Sequence, residues 1–456
     1  MSKQKPSIPK GTRDFGPKVV SKRNYLINTI RATFEKFGFL PLETPTMENL
    51  SVLTGKYGDE GDQLIFKVLN SGDYVSKVKT DIANTPSQQL TPQIAEKGLR
   101  YDLTVPFARY VVMNRNEISF PFRRYQMQPV WRADRPQKGR YREFMQCDAD
   151  VVGTKSLICE AEIIMMMNEI LQNLGIEGYQ IKINSRKILS GLATYLGHKG
   201  EEGKLCVAID KLDKIGTDGV FKELEQLGYN SLQLDSLSPI LELSDTNTNK
   251  IKSLEQTFAG NKEALEGLAE VSQILQYVEA MSGNLTTVDF DPSLARGLSY
   301  YTGAIFEIKI LDGSMGSISG GGRYDNLTGV FGLPDVSGVG FSLGIDRMYD
   351  VMEARDLFPT EVATTTQVLF TNFGSDEEAF AIKQLALLRK AEISSEIYPT
   401  SAKLKKQMTY ANNLNIPFVV LIGSDETANN SLTVKDMEAG TQESMTIDAL
   451  IKKLTK

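Results

Sequence analysis

Apolar residues recur every three or four positions in several stretches of this chain, and this spacing predicts helices. Pro17–Phe37 has the spacing and is followed by Gly38, a residue type that often ends helices. Ser156–Leu174 repeats the pattern and is ended by Gly175. Between residues 197 and 283 the periodicity returns with one polar face, so we expect several amphipathic helices there.

Short apolar or alternating runs predict strands in other parts of the chain. They include LRYDLTVPFAR, YQIKIN, VDFDP, YYTGAIFEIKI and SGVGFSLG. Val130-Trp131 and Phe144-Met145 predict two more strands, which a charged loop joins into a hairpin. The simplest account is an α+β fold, in which one antiparallel domain is interrupted by the helical segment at 197–283.

The last ninety or so residues follow a different plan. After Phe358 the stretch PTEVATTT is predicted to be a linker. Beyond it, strand and helix patterns alternate from QVLFTN to TIDALIKKL. Such alternation predicts a separate α/β domain with a partly parallel sheet.

Composition restricts the class of protein. The chain has 456 residues, 41% hydrophobic and 24% charged, with no apolar run of 18 residues, so we expect a globular protein without a membrane helix. The N-terminus lacks the apolar segment of a secretory signal, and three cysteines without a CxxC pair suggest the reducing cytoplasm. The single histidine, His198, lies in a polar turn that we expect to be solvated. Chemistry based on a histidine base is therefore not expected.

Basic residues are concentrated in the predicted hairpin, although the whole chain has a formal charge of −6. Seven Arg or Lys and one acid lie between Arg123 and Arg142. Arginine forks suit phosphate because they present paired donors and stay charged, so Arg132, Arg140 and Arg142 are expected to surround one small volume. A solvated basic turn is the alternative for this segment.

Four segments carry polar or small residues where a structural strand would be apolar. Asp102 and Thr104 would point the same way on a strand and could bind an ammonium group, or they could simply face water. Gln146, Asp148 and Asp150 share one face of the returning hairpin strand. Tandem tyrosines in LARGLSYYTGAIFE offer flat walls for a planar ligand, and the glycines of GGGRYD and GVGFSLG would let a ligand approach the backbone.

Taken together, these motifs resemble the histidyl-tRNA synthetases, which are class II aminoacyl-tRNA synthetases. Motif 1 matches the N-terminal helix and the proline-bearing strand, motif 2 matches VWRADRPQKGRYREF, and motif 3 matches GVGFSLGIDR. ARGLSYYTGAIFE and GGGRYDNL resemble the two histidine-specific signatures. The resemblance implies a catalytic core in two parts, residues 1–196 and 284–357, around an insertion at 197–283, with an anticodon-binding domain at 366–456.

The resemblance also implies roles for individual residues. Arg132 would contact the α-phosphate of ATP and the carboxylate of histidine, and Arg296 would stabilise the charge that develops at the reacting phosphorus. ATP would further be held by Asp134, Arg140, Phe144 and Arg347. Histidine would be held at its ammonium group by Asp102, Thr104 and Gln146, and at its imidazole by Asp150 and Tyr301, with Tyr300 and Tyr324 completing the pocket.

The implied activity is ligation of histidine to tRNA(His), with ATP and Mg²⁺, by a cytoplasmic homodimer that has motif 1 at its interface. Adenylation needs positioning and positive charge more than proton transfer, which suits a chain with many arginines and one histidine. Two alternatives stay open at this point. One is a non-catalytic, histidine-sensing paralogue, and the other is a class II synthetase for a different amino acid.

Overall fold

The computed structural model describes residues 5–137, 139–283, 286–295, 300–359 and 366–455, apart from the side chains of residues 59 and 60. These residues separate into two compact units. The first unit comprises the chain up to Asp14 together with Leu26–Leu357, and the second comprises Phe15–Tyr25 together with the chain from Phe358 onward.

Sixteen strands occur in the described residues, and most are short. They are β1 (Leu40–Pro41), β2 (Met47–Asn49), β3 (Lys67–Val68), β4 (Lys97–Leu99), β5 (Phe122–Trp131), β6 (Glu143–Val152), β7 (Tyr179–Ser185), β8 (Val288–Phe290), β9 (Ala304–Ile310), β10 (Ser319–Tyr324), β11 (Gly338–Gly344), β12 (Val368–Phe370), β13 (Ser395–Ile397), β14 (Phe418–Leu421), β15 (Leu432–Asp436) and β16 (Gln442–Met445). The ten-residue pair β5 and β6 forms the predicted hairpin, in which Val130 lies opposite Phe144.

Seventeen α-helices and one short 3₁₀ turn (Gly329–Phe331) accompany these strands in the same part of the chain. The helices are α1 (Pro17–Lys36), α2 (Leu50–Leu53), α3 (Gly58–Gln63), α4 (Ser87–Ile94), α5 (Thr104–Met113), α6 (Ile158–Asn173), α7 (Arg186–Tyr195), α8 (Glu202–Ile209), α9 (Leu212–Gln226), α10 (Ser231–Leu241), α11 (Asn247–Thr257), α12 (Lys262–Ser282), α13 (Ile345–Ala354), α14 (Ser375–Lys390), α15 (Leu404–Asn413), α16 (Ser424–Asn429) and α17 (Ile447–Leu454). None of them combines the length and apolar character that crossing a membrane requires.

The first unit is built on an eight-stranded sheet with the order β1-β5-β6-β11-β10-β9-β7-β8. Its inner pairs are antiparallel, and only the outer pairs β1–β5 and β7–β8 are parallel. A small antiparallel sheet, β2-β4-β3, lies beside α2 and α5. Helices α7 to α12 lie between β7 and β8, and α8 to α12 fall within the predicted insertion, so the α+β core with a helical insertion is confirmed.

The large sheet has one apolar and one polar face, because side chains alternate along each strand. On the apolar face, the ring of Phe34 in α1 lies 5.7 Å from that of Tyr125 and 5.9 Å from that of Phe341. The opposite face carries polar residues at the intervening positions of β5, β6 and β11, including Arg124, Asp150 and Ser342. These polar side chains form the base of the site described below.

Two local predictions were wrong. LRYDLTVPFAR is not a strand, since β4 ends at Leu99 and Thr104 begins α5. Pro106 lies in the first turn of that helix, where proline is tolerated. A proline at this position favours the start of a helix, but the short alternating pattern around it favoured a strand. His198 is not freely solvated, because its ring stacks on Tyr229 at 3.8 Å and its Nδ1 lies 3.0 Å from Glu201 Oε2.

The C-terminal unit contains a five-stranded sheet, β13-β12-β14-β15-β16. Strands β13, β12 and β14 are parallel, and β15 and β16 are antiparallel to their neighbours, which confirms the predicted α/β domain with a partly parallel sheet. Its core includes the fully buried side chains of Phe370, Leu388, Val420 and Leu450. Most of the predicted linker, residues 360–365, lies outside the described residues.

Candidate active site

Glycines lie beneath a cluster of polar side chains on the polar face of the large sheet. Asp150 lies opposite Gly340, and Gly340 lies opposite Gly322 on the next strand. A Cβ atom at Gly340 would lie 2.1 Å from Asp150 Oδ1, and one at Gly322 would lie 2.9 Å from Cδ1 of Tyr301. The carboxyl group of Asp150 and the ring of Tyr301 therefore occupy the space over these two glycines. This differs from the prediction, because protein atoms, not a ligand, approach the backbone here.

Asp150 is buried and contacts both a tyrosine and an arginine. The hydroxyl of Tyr324 donates to Asp150 Oδ1 at 2.8 Å, and Nη2 of Arg124 lies 2.8 Å from Oδ2. Burial raises the pKa of Asp150, while Arg124 and the hydrogen bond from Tyr324 oppose the rise. The Arg124 side chain is fully buried, and its guanidinium lies 4.3 Å from the ring centre of Phe107.

Asp102 forms a second buried acidic centre, immediately before α5. Its Oδ1 accepts hydrogen bonds from the Tyr57 hydroxyl at 2.9 Å and from the backbone N–H of Val105 at 3.1 Å. Burial raises the pKa of Asp102, and these hydrogen bonds and the charge of Arg132 act against the rise. Thr104 begins the helix two residues later, so the two residues are close together although they do not share a strand.

The tyrosines join the two acidic centres into one site. Tyr300 donates from its hydroxyl to Asp102 Oδ2 at 3.4 Å, and its ring centre lies 6.1 Å from that of Tyr324, the donor to Asp150. The rings of Tyr300 and Tyr301 are 4.9 Å apart. Burial raises the pKa of Tyr301, and nearby Asp150 and Asp148 add to the rise, so the hydroxyl stays protonated.

Arg132 lies between two aromatic rings at the start of the hairpin loop. Its guanidinium is 4.2 Å from the ring centre of Tyr101 and 5.2 Å from that of Phe144, and its Nε donates to the carbonyl of Tyr101 at 3.1 Å. Because Tyr101 precedes Asp102, the arginine lies next to the second acidic centre. This contact brings a fixed positive charge to the edge of the pocket.

The loop of the hairpin places its other charged residues differently from the prediction. Asp134 Oδ1 and Arg140 Nη1 are 3.8 Å apart, and the Arg140 side chain is about half exposed. Arg142 does not join Arg132, because its Nε donates to the carbonyl of Asp134 and its Nη1 to that of Lys10. Its role here is to hold the loop.

The start of α13 is attached to the hairpin. Arg347 donates from Nε to the carbonyl of Gly139 at 2.9 Å and from Nη1 to that of Ser317 at 2.5 Å. Asp346 accepts from the backbone N–H of Met145 at 3.1 Å and pairs with Arg13. Residues of motifs 2 and 3 thus meet in one place, as the resemblance implied.

Gln146 connects the hairpin to β11, since its Nε2 donates to the Ser342 hydroxyl at 2.6 Å. The described contacts link Asp102, Tyr300, Tyr301, Tyr324 and Asp150 in one group, with Arg132 and Phe144 at its edge. Arg142 is not part of this group. Arg296 lies outside the described residues, as do Gly297, Leu298 and Ser299.

Sequence reasoning missed two residues of this site, Arg124 and Tyr57. Arg124 had a signal, since Arg124, Gln126 and Gln128 alternate with Tyr125 and Met127 in a strand that is otherwise apolar on one face. Tyr57 had none, because it meets Asp102 only through the packing of the loop before α3 against the segment before α5.

A mostly antiparallel sheet that presents an arginine-bearing hairpin beside a motif 3 helix, together with a separate α/β unit, defines a class II aminoacyl-tRNA synthetase. The comparisons with known proteins specify the family. A family model described as histidyl-tRNA synthetase matches residues 11–348, and a model described as anticodon binding domain matches residues 367–456. The chain belongs to the histidyl-tRNA synthetase family.

Individual relatives match along almost the whole chain. The chain is 54% identical over 451 residues to the histidine–tRNA ligase of Cytophaga hutchinsonii, covering 99% of this chain and 100% of the relative. It is 53% identical to the histidine–tRNA ligase of Christiangramia forsetii, covering 98% of each. Among solved structures, the histidyl-tRNA synthetase of Nostoc sp. PCC 7120 has a TM-score of 0.84 at 30% identity, covering 99% of both chains.

Proposed function

We propose that this chain activates L-histidine with ATP to give histidyl-adenylate and pyrophosphate, and then transfers histidine to the 3′ end of tRNA(His). The observation that carries the proposal is the convergence of two buried carboxyl groups, Asp102 and Asp150, with three tyrosines and Arg132. A pocket with two separated acidic centres suits an amino acid that carries an ammonium group at one end and an imidazole at the other.

In this proposal the acidic centre near α5 binds the backbone end of histidine. Asp102, Thr104 and Gln146 accept hydrogen bonds from the ammonium group. Asp150 and Tyr301 contact the imidazole, and Tyr300 and Tyr324 enclose it. Because Tyr324 and Arg124 fix the carboxyl group of Asp150, its orientation is set before histidine binds.

Arg132 is positioned for the reacting groups. It contacts both the histidine carboxylate and the α-phosphate of ATP, while Arg296 stabilises the charge at the same phosphorus. A carboxylate oxygen of histidine bonds to the α-phosphorus, the bond to the bridging oxygen of the β-phosphate breaks, and pyrophosphate leaves. No side chain has to take up a proton, so fixed positive charge and alignment lower the barrier.

The rest of the ATP molecule lies along the hairpin in this proposal. Phe144 and Arg347 stack on the two faces of adenine, Asp134 lies near its amino group, and Arg140 extends toward the γ-phosphate. The exposure of Arg140 supports this placement, because its guanidinium keeps only a 3.8 Å approach to Asp134 and can move to a phosphate.

We also propose that Mg²⁺ accompanies ATP. The described residues contain no group of three His, Cys, Asp or Glu side chains arranged to hold a metal ion. A magnesium ion held mainly by phosphate oxygens and water is compatible with this donor set, and its chemistry would be to neutralise phosphate charge. We assign no protein ligand to it.

The C-terminal unit is proposed to bind the anticodon of tRNA(His). In the second step, a hydroxyl of the terminal ribose attacks the carbonyl carbon of the adenylate, and AMP leaves. The loop Arg135–Arg142 is then the place where the acceptor end meets the activated histidine. Its basic residues suit the phosphates of a tRNA end.

We further propose a homodimer in the cytoplasm, with motif 1 at the interface. The short strand β1 lies at the edge of the large sheet, and apolar side chains near it, Leu40 and Met47, are more than half exposed. A second copy would cover them. Light scattering coupled to size-exclusion chromatography would give twice the 50.6 kDa chain mass if this is right.

Exchange of labelled pyrophosphate into ATP tests the activity. We expect exchange that depends on L-histidine, and charging of tRNA(His) by the same preparation. Histidine binding without exchange would indicate the histidine-sensing alternative, and exchange with a different amino acid would indicate another class II specificity. Either result would overturn the proposal.

A further inference from the structure

Asp148 lies in the same pocket, although none of the roles above uses it. In β6 it is two residues from both Gln146 and Asp150, so its side chain shares their face of the sheet. It lies opposite Gln126 on β5 and opposite Ser342 on β11. Asp148 therefore occupies the row between the two parts of the proposed histidine site.

The carboxyl group of Asp148 is buried and only partly satisfied. The residue is 1% exposed, the Ser342 hydroxyl is hydrogen-bonded to the carboxyl group, and Oδ1 has no hydrogen-bond partner among the described residues. Opposite it, Oε1 of Gln126 is also buried without a partner. Nε and Nη1 of Arg124, in the neighbouring row, also lack a hydrogen-bond partner among the described residues. Since buried polar atoms nearly always have partners, these acceptors and donors together indicate a place where a ligand with both a donor and an acceptor binds.

Asp150 is less available to a ligand than its position suggests. Its Oδ1 accepts the Tyr324 hydroxyl, and its Oδ2 lies 2.8 Å from Arg124 Nη2. Both of its oxygens thus already contact protein groups. Asp150 Oδ2 is held by this ion pair, whereas Asp148 Oδ1, in the next row, has no hydrogen-bond partner among the described residues.

The charges around Asp148 come from several elements. Arg124 on β5 favours its ionised form, whereas Asp150 on β6 and Asp102 before α5 disfavour it. Arg100 and Tyr301 also lie within electrostatic range of Asp148. Burial is the largest influence and raises the pKa of Asp148 to about 7. A ligand that brings an N–H donor would favour the ionised form of Asp148 over the protonated form.

We propose that Asp148 is a further histidine-binding residue, whose Oδ1 accepts a hydrogen bond from a ring N–H of the imidazole beside Asp150 and Tyr301. This inference rests on the proposed function. It assigns part of the selection for histidine to a third carboxyl group, because an amino acid whose ring lacks the donor would leave this buried acceptor without a partner.

The variant Asp148→Asn tests the inference. The amide fits the same space, and the direct ion pair of Arg124 is with Asp150, so we expect thermal stability to be maintained. Titration calorimetry with L-histidine should show affinity weaker by roughly 10- to 100-fold, because a hydrogen bond to a charged group is lost. The KM for ATP in the exchange assay should change by less than about threefold, since the adenylate-forming arginines are untouched.

The pH dependence separates a binding role from a structural one. In the wild-type chain, histidine should bind more tightly as the pH rises from 6 to 8, because Asp148 loses its proton in that range. In Asp148→Asn, the histidine affinity should change with pH only through the titration of the ligand and of the other ionisable groups. The matched control is Asp235→Asn, which removes an exposed carboxyl from helix α10 of the insertion and should leave the wild-type profile unchanged.

Two results would overturn the inference while the proposed function stands. One is an Asp148→Asn variant with wild-type histidine affinity and pH profile. The other is an equal loss of affinity for histidine and ATP together with a lower melting temperature, which would show a structural role. If the wild-type chain itself shows no histidine-dependent exchange, the proposed function has failed first.

Discussion

Single hydrogen bonds decide how the acidic residues of the pocket can act. Asp102 accepts hydrogen bonds from Tyr57 and from the backbone of α5, whereas Asp150 accepts one from Tyr324 and forms an ion pair with Arg124. Each carboxyl group is thereby held in one orientation although burial raises its pKa. An acceptor that is oriented in advance loses little entropy when a ligand binds, which favours selectivity for the ligand's donors.

Tyr324→Phe should weaken histidine binding by removing the donor to Asp150 Oδ1. A hydrogen bond to a charged group contributes about 1.5–3 kcal/mol, so we expect the KM for histidine to rise roughly 10-fold or more in the exchange assay. The ring remains, and the packing of the core should be kept. Tyr74→Phe is the control, since Tyr74 is exposed. An unchanged KM in Tyr324→Phe would show that Asp150 is oriented without it.

Arg296→Ala should abolish adenylation while histidine binding stays measurable. The expectation follows from the proposed role of Arg296 at the reacting phosphorus, where positive charge stabilises the transition state more than the bound substrate. The rate of pyrophosphate exchange measures adenylation, and calorimetry gives the histidine affinity. Exchange near the wild-type rate would remove Arg296 from the catalytic residues.

The sequence was a good guide to which residues form the pocket and a weaker guide to their geometry. Asp102 and Thr104 were chosen on a strand that does not exist, yet they are close together because the start of a helix also brings nearby residues together. Arg142 carries the same charge as Arg132 but holds a loop, because the nearest acceptors are backbone carbonyls. Only the folded chain shows which acceptors are near.

At the scale of elements, close packing explains Gly321 and Gly322 of β10 and Gly338 and Gly340 of β11. Gly321 lies opposite Phe341, and a Cβ on it would lie 2.4 Å from the carbonyl of Gly340. The glycine-rich pattern was therefore detectable in the sequence, whereas its cause was not. The pattern does not distinguish space for a ligand from space taken by Asp150 and Tyr301.

Gly340→Ala should displace Asp150 and weaken histidine binding. The new Cβ would lie 2.1 Å from Oδ1 and 2.8 Å from the carbonyl of Ala149, so the strand or the side chain must move. Such overpacking costs about 1–3 kcal/mol, which chemical denaturation would detect. Gly320→Ala, on the neighbouring strand, is the control, because no atom lies within 4 Å of its Cβ. Equal histidine affinity in both variants would contradict this account.

At the scale of the whole molecule, the chain has separate cores for separate tasks. The candidate residues that the structure describes all lie in the first unit. The second unit has its own sheet and its own buried apolar core. The alternation of strands and helices in the second unit was predictable from the sequence, because regular alternation of the two patterns is typical of an α/β domain. The elements α16 and β16 were not predicted because they lack an apolar pattern: α16 buries no residue, and β16 is almost entirely exposed.

Removing residues 366–456 should spare adenylation and strongly reduce charging of tRNA. All groups proposed for adenylation precede residue 348, whereas the matched anticodon-binding domain begins at residue 367. The truncated chain should keep pyrophosphate exchange within about threefold and raise the KM for tRNA(His) by roughly 100-fold, as expected when a large share of the contacts to an anionic partner is lost. Because Phe15–Tyr25 groups with the second unit, thermal unfolding of the truncated chain is a necessary control.

The full-length triple variant of Lys403, Lys405 and Lys406 to Ala tests one basic surface without truncation. If those lysines only face solvent, the triple variant should charge tRNA normally, and unchanged charging by the truncated chain would refute the anticodon role.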